Sequence, residues 1–382
     1  AIGRPLYQAI AGGMVVTAVL FHIPVTIIGT KIVSVITNWS SLSVLLSLYL
    51  ITFLQKILES RSQIRLAQQD LNGIFHNRRI NTAGAAFFIG LLPSAASMIL
   101  CADIVKDATE GYLDPKEQAF TASWFRHIPE SVLPTYTAVL LMSNLSGVEI
   151  SEFILYMIVP VLALAGLGYA VYLHRIPNDT GTPASTNRLA DFAHLIQHLW
   201  SLLLILILIL VFHFQVVTSV LVSIALCIII YRVTLDEIRK FIFAAFEKKM
   251  LGNTFLVLCL KELIAHTGVL LLLPDAMAKL PLPTYLIFGL LFFTATVISG
   301  STGAIAMGTP LAFAAIPGGA PLMAYLMCMA HAASQISPTH VCLVVAADYF
   351  HVTLGDIVKK TLPVSIAFCV FCLLYTSDAA DD

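Results

Sequence analysis

Long apolar runs separated by short polar stretches dominate the chain. The runs at 7–24, 39–58, 150–173, 194–213, 215–231, 251–273 and 354–375 are each close to the ~20 residues an α-helix needs to cross a hydrocarbon core, and each is read as a span. Residues 25–38 are mixed and read as interfacial. Within the polar, basic stretch 59–79, Ile64, Leu71, Ile74 and Phe75 are spaced for an amphipathic interfacial helix. A second charged amphipathic stretch covers 232–249. Two further runs, 80–105 and 284–317, are interrupted by small residues, and their arms are too short to cross separately. Each predicts a re-entrant hairpin, with tips at Leu92-Pro93-Ser94-Ala95-Ala96-Ser97 and Ser299-Gly300-Ser301-Thr302-Gly303. The runs 118–146 and 320–350 carry a proline deep inside and predict broken helices.

The broken helices share a pattern. His127 precedes Pro134-Thr135 as His331 precedes Pro338-Thr339, and every member is displaced by 204 residues. Proline removes a backbone donor and frees a carbonyl, which lipid tolerates only where protein, water or a ligand satisfies it. The same offset lays 93–97 on 297–301, Asn144 on Asp348 and Glu152 on Asp356. The span at 194–213 has no first-half partner, so the first repeat is expected to lack its opening span. A complete repeat then has five crossings plus a hairpin, and an odd number inverts the second copy in the membrane. The expected fold is an all-α polytopic membrane protein with two inverted-topology repeats, each holding a re-entrant hairpin and a broken transmembrane helix. Repeat 1 is placed at 1–174, a cytoplasmic linker at 175–191, repeat 2 at 192–375, and 376–382 is read as a non-native tail.

Composition agrees with this. Hydrophobic residues make up 58% of the chain and charged residues 11%, with mean hydropathy +0.90; soluble proteins carry roughly 25% charged residues. A net charge of −1 excludes charge-driven nucleic-acid binding. Alternating sides span by span puts 16 Lys and Arg residues on one face and only Lys31 and Lys279 on the other. The rich face is then cytoplasmic, and the expected location is the prokaryotic inner membrane, multi-pass. All seven cysteines lie in apolar segments, including the Cys369/Cys372 pair, which reads as packing rather than redox or zinc chemistry.

Candidate chemistry collects where backbone is interrupted. Small residues at a hairpin tip leave amides and carbonyls accessible, and hydroxyls add donors and acceptors. Pro93, Ser94, Ser97, Ser299, Gly300, Ser301, Thr302 and Gly303 are therefore predicted to bind substrate or ion, facing Pro134, Thr135, Pro338 and Thr339 of the broken helices. Arg126 and Glu130, at i and i+4, are expected on one helix face, as an ion pair or as substrate and proton groups. His127 and His331 are read as helix-packing hydrogen bonders or coupling groups, and Asp348 as an end cap or coupling group. No metal site and no cofactor is expected; Na⁺ is a candidate coupling ion. His127, Glu130 and Ser131 also raise an intramembrane enzyme, but no HExxH or GxSxG motif accompanies them.

Three stretches, Gly90-Leu91-Leu92-Pro93-Ser94, Trp124-Phe125-Arg126-His127-Ile128 and Pro338-Thr339-His340, make the chain resemble the ion-transporter superfamily. That superfamily holds the divalent-anion:sodium symporters, gluconate permeases and large membrane subunits of TRAP transporters. Within it, the chain most resembles a family of prokaryotic integral membrane proteins. The resemblance implies a dimerising scaffold and a transport unit that moves elevator-fashion. It also implies secondary transport of a small organic anion of the carboxylate type, coupled to Na⁺ or H⁺, with membrane lipid and a second copy as partners. A binding-protein-dependent, TRAP-like membrane subunit is the alternative. The dicarboxylate symporters carry Ser-Asn-Thr at both tips; neither tip here has Asn, so that substrate and its Na⁺ stoichiometry do not carry over.

Overall fold

The computed structural model describes residues 6–74, 77–91, 97–179, 187–272, 275–276, 279 and 281–378. Phe75, Pro93, Ser94, the side chains of Leu71 and Ser97, linker residues 180–186 and tail residues 379–382 lie outside them. The described elements are helices. The first half contains α1 (Leu6–Leu20), α2 (Val25–Thr37), α3 (Trp39–Ser60), α4 (Gln63–Ile74), α5 (Arg78–Ile89), α6 (Ser97–Thr109), α7 (Pro115–His127), α8 (Thr137–Ser146) and α9 (Ile150–Val171). The second contains α10 (Arg188–Leu210), α11 (Val216–Ile230), α12 (Leu235–Ala244), α13 (Lys248–Thr267), α14 (Thr284–Ser299), α15 (Ser301–Ala315), α16 (Gly319–Ser334), α17 (Val341–Tyr349) and α18 (Leu354–Asp378).

Four helices, α3, α9, α10 and α18, are long and apolar enough to cross a membrane. Their outer faces suit lipid: Leu155 is 60% exposed, Leu162 65% and Leu374 62%. Rows of such side chains facing outward belong against acyl chains rather than water. The chain is a multi-pass membrane protein.

Three expected spans end differently. α11 has 15 residues, about 22 Å at helical rise, short of the ~30 Å core, and α1 ends at Leu20 rather than near Pro24. The apolar run of 7–24 breaks because His22 takes φ 50, after which Pro24 caps α2; the run of 215–231 stops the same way before Arg232 at φ 49. A left-handed residue ends the i→i−4 ladder, and hydropathy alone does not see it. The span expected at 251–273 ends instead at Thr267, where Gly268 in the left-handed region caps α13.

Helix starts recur along the chain. α6, α7, α8 and α9 begin at 97, 115, 137 and 150, and α15 to α18 at 301, 319, 341 and 354, a constant difference of 204. α1 and α2 begin 210 residues before α11 and α12. α10 has no counterpart among the described residues. The packing is crossed: α1 lies on α13 and α11 on α3, α15 on α8 and α17 on α6, α16 on α9 and α18 on α7.

One end of the molecule is tied by charge. Asp114 and Glu117 form a capping box at the start of α7, with Pro115 as its first residue. Glu117 is nearly buried and accepts from Arg175 at 3.0 and 2.6 Å and from Lys360 at 3.3 Å. Burial pushes the Glu117 carboxyl up, but Arg175, the Asp114 amide and Lys360 outweigh it and hold the group below its usual range. Lys116 pairs with Asp356 at 2.9 Å, and Arg61 with Glu237 at 2.8 Å. Each of these pairs joins stretches that the charge pattern assigns to the same face.

Candidate functional site

Both apolar runs are interrupted as expected, but each helix ends before the proline that was expected to break it. α7 ends at His127 and passes into a 3₁₀ turn, Ile128–Ser131, that includes Pro129; the chain then runs irregularly past Pro134 to α8. α16 ends at Ser334, and the chain passes Pro338 before α17 begins at Val341. Between α14 and α15 the second hairpin turns on one residue, Gly300, at φ 84 and ψ 162. That region is open essentially to glycine alone.

Specific contacts hold the breaks against the hairpins. Tyr136 donates its hydroxyl to the Gly90 carbonyl at the end of α5. Gly90 itself has no room for a side chain, because a Cβ there would overlap the Arg126 carbonyl. In the second half Ser337 donates to the Val297 carbonyl at 2.9 Å and bonds Thr339 Oγ1 at 2.8 Å. A Cβ on Gly300 would lie 3.4 Å from that same Thr339 oxygen. The second tip therefore sits on the second break.

A cavity of about 230 Å³ opens where these parts meet. The first broken helix lends Arg126, Glu130, Thr135 and Tyr136, the second tip Ser301 and Thr302, the second broken helix His340 and Cys342, and α3 Thr52 and Gln55. Thr135 Oγ1 and Gln55 Nε2 are buried here without a hydrogen-bond partner. Orphaned buried polar atoms are rare unless something else binds them. The lining offers a guanidinium for an anion, and hydroxyls and a carboxylate for a hard cation.

The remaining predicted residues divide. Arg126, Glu130, Thr135, Ser301 and Thr302 come together in the cavity. Pro134 is buried, and Pro338 and Thr339 are exposed beside the tip. Ser299 is spent on the Ala295 carbonyl at 2.8 Å, and Gly303 is packed inside α15. His331 is buried in α16, 3.4 Å from Gln335 Nε2 and off the cavity lining. Asp348 is exposed near the end of α17, also off the lining. The i, i+4 geometry expected for Arg126 and Glu130 does not extend that far, because α7 stops at His127. Glu130 sits in the 3₁₀ turn, its Oε2 4.0 Å from the Nε2 atoms of both His127 and His340. Sequence reading missed His340, Cys342, Tyr136 and Gln55. The one available signal was an ionisable residue, His340, directly after Pro338-Thr339.

The helical hairpin of α14 and α15, the two interrupted helices and the polar cavity between them belong to an all-helical membrane fold that is also seen in a solved transporter structure. The chain matches the crystal structure of the Alcanivorax borkumensis YdaH transporter, described as having an unusual topology, with a TM-score of 0.72 over 98% of each chain. Identity is 11%, so the likeness concerns the fold alone. In sequence, residues 8–376 match the family described as "Protein of unknown function (DUF401)", and the chain belongs to that family. No curated protein matches it.

Proposed function

We propose that the protein is a secondary active transporter of a small organic anion of the carboxylate type, driven by Na⁺ or H⁺ in the prokaryotic inner membrane. The observation that carries this reading is the cavity where both breaks and the second tip meet, with Arg126 on its wall and Thr135 Oγ1 unpartnered inside it. A guanidinium with hydroxyls nearby is a carboxylate-binding set. Unwound backbone at two matched breaks is how transporters place a site at mid-membrane. The 204-residue recurrence of helix starts supports two oppositely inserted repeats. The ion pairs within one charge-rich face support that face as cytoplasmic. The working unit in this reading is a homodimer whose hairpins and broken helices move together as an elevator. Uptake by the isolated chain separates this reading from a binding-protein-dependent subunit.

The test is uptake into proteoliposomes of a panel of mono- and dicarboxylates under an imposed Na⁺ or proton gradient. The double variant Thr135→Ala/Thr302→Ala should lose uptake while remaining monodisperse. Undiminished uptake in that variant would remove the cavity from the substrate path. Failure of every carboxylate under both gradients would defeat the substrate assignment.

A further inference from the structure

His127, His340 and Cys342 form a cluster that transport of an organic anion does not account for. One ligand atom from each lies within 4.8 Å of the others, the one such group of three among the described residues. His127 is fully buried, and its Nε2 has no hydrogen-bond partner. Its Nδ1 lies 2.6 Å from the Ser123 carbonyl. The Nδ1 of His340 lies 3.0 Å from the Ser334 carbonyl. A carbonyl can only accept, so in each ring Nδ1 carries the hydrogen, and in the neutral imidazole the lone pair is on Nε2. This is the arrangement by which proteins orient a metal-binding histidine: one nitrogen tied to a backbone acceptor, the other turned to the ion; in His127 that second nitrogen is unpartnered, and the His340 ring is hydrogen-bonded to Cys342. The two rings stand 4.4 Å apart between centroids, and Glu130 Oε2 is 4.0 Å from both Nε2 atoms.

We propose that His127 Nε2, His340 Nε2 and Cys342 Sγ, with the Glu130 carboxylate, bind a borderline-soft divalent cation of the Zn²⁺ class. Two nitrogens, a sulfur and a carboxylate oxygen are a donor set for zinc and not for Na⁺ or Mg²⁺. A tetrahedral ion holds such donors about 3.3–3.6 Å apart, so the cluster has to contract by about 1 Å. The Arg126 guanidinium, 3.6 Å from Cys342 Sγ, is a counter-cation for a thiolate there. Two ligand-bearing residues lie at the break of each broken helix, so a bound ion would staple one half of the chain to the other. Cys342, Glu130 and His340 also line the cavity, so the ion would be reached from it.

The test uses the full chain in detergent, stripped with chelator and titrated with Co²⁺ as a spectroscopic stand-in for Zn²⁺. One equivalent should bind, giving tetrahedral visible bands and a sulfur-to-cobalt charge-transfer band. Cys342→Ser should abolish the charge-transfer band. His127→Gln and His340→Gln should each weaken binding by at least the roughly 10–100-fold that losing even an outer-shell partner costs. In the unmutated chain, Zn²⁺ should protect Cys342 from maleimide, read by mass spectrometry, and this measurement decides the matter if the variants fail to fold. No stoichiometric binding, a charge-transfer band that survives Cys342→Ser, or Cys342 labelling unaffected by Zn²⁺ would each overturn the proposal. Failure of the unmutated chain to take up any carboxylate, with metal binding intact, would instead count against the transport reading alone.

Discussion

Replacing Gly300 with alanine tests whether the second hairpin tip is held in a conformation that only glycine allows. At φ 84 and ψ 162 a Cβ meets its own backbone, a strain of about 1–3 kcal/mol. Steric room contributes little: the new carbon would lie 3.4 Å from Thr339 Oγ1, close but attainable with a small shift. The cost is therefore backbone strain, and the turn can relieve it only by rotating away and carrying Ser301 and Thr302 off the cavity wall. A penalty of that size shifts the population of the closed tip by about 5- to 150-fold. Gly252→Ala is the internal control. It lies within α13, nothing stands within 4 Å of its added Cβ, and its φ is not positive; helix propensity predicts a gain of up to about 1 kcal/mol. Thermal unfolding in detergent and uptake in proteoliposomes are read in parallel. Gly300→Ala should melt earlier and transport less, and Gly252→Ala should do neither. If the two variants behave alike in both assays, the tip is not held as argued.

Three other outcomes follow. Tyr136→Phe removes the donor to the Gly90 carbonyl in a buried site and should destabilise by about 1–3 kcal/mol, measured by unfolding in detergent; an unchanged midpoint refutes the contact. Glu117→Gln should cost about 1–3 kcal/mol, because Arg175 and Lys360 lose their shared anion. Its acid behaviour should also change. The folded Glu117 carboxyl is held below its ordinary value of 4.5. Its stabilisation is thus complete above that pH and disappears as pH falls through the lower folded value. The unmutated chain should lose stability in that acid range more steeply than the variant, and equal slopes would be evidence against the bridge. Finally, co-expressed segments 1–179 and 187–382 should co-purify while each alone aggregates, since α1 packs on α13 and α11 on α3; a soluble, monodisperse half would contradict that interlock.

The breaks were legible in the sequence because proline in an apolar run has few uses. His127 and Pro134 recur as His331 and Pro338, and the helices start again 204 residues later, at Thr137 and Val341. The second hairpin was legible for the same reason, through Gly300 between two apolar arms. The end of α1 was not, because hydropathy does not register that His22 takes a left-handed φ. Nor was the partner of Glu130. Helical spacing pointed to Arg126 four residues before it, but α7 ends first, and the carboxylate comes near His340, more than two hundred positions away. Periodicity reports neighbours along one helix. Contacts that depend on how two interrupted segments face each other leave no local pattern.

The division of hydrogen bonds at the interruptions explains why the cavity lies where it does. Each break releases polar groups that lipid cannot satisfy. Within each half, one bond ties the break to its own hairpin: Tyr136 to the Gly90 carbonyl, Ser337 to the Val297 carbonyl. Backbone carbonyls at Ser123 and Ser334 take the Nδ1 hydrogens of His127 and His340. Among the buried side-chain groups still unpartnered after those bonds are made are Thr135 Oγ1, Gln55 Nε2, the Nε2 of His127 and, at the second break but off the cavity lining, Gln335 Oε1. The first two line the cavity, and the third lies beside its wall residues Glu130 and His340. A protein that needed the interruptions only to pack its helices would have closed these groups on one another. Here the first three are left open at or beside a space that both halves build, so whatever fills it is held by residues that meet only when the two halves are together.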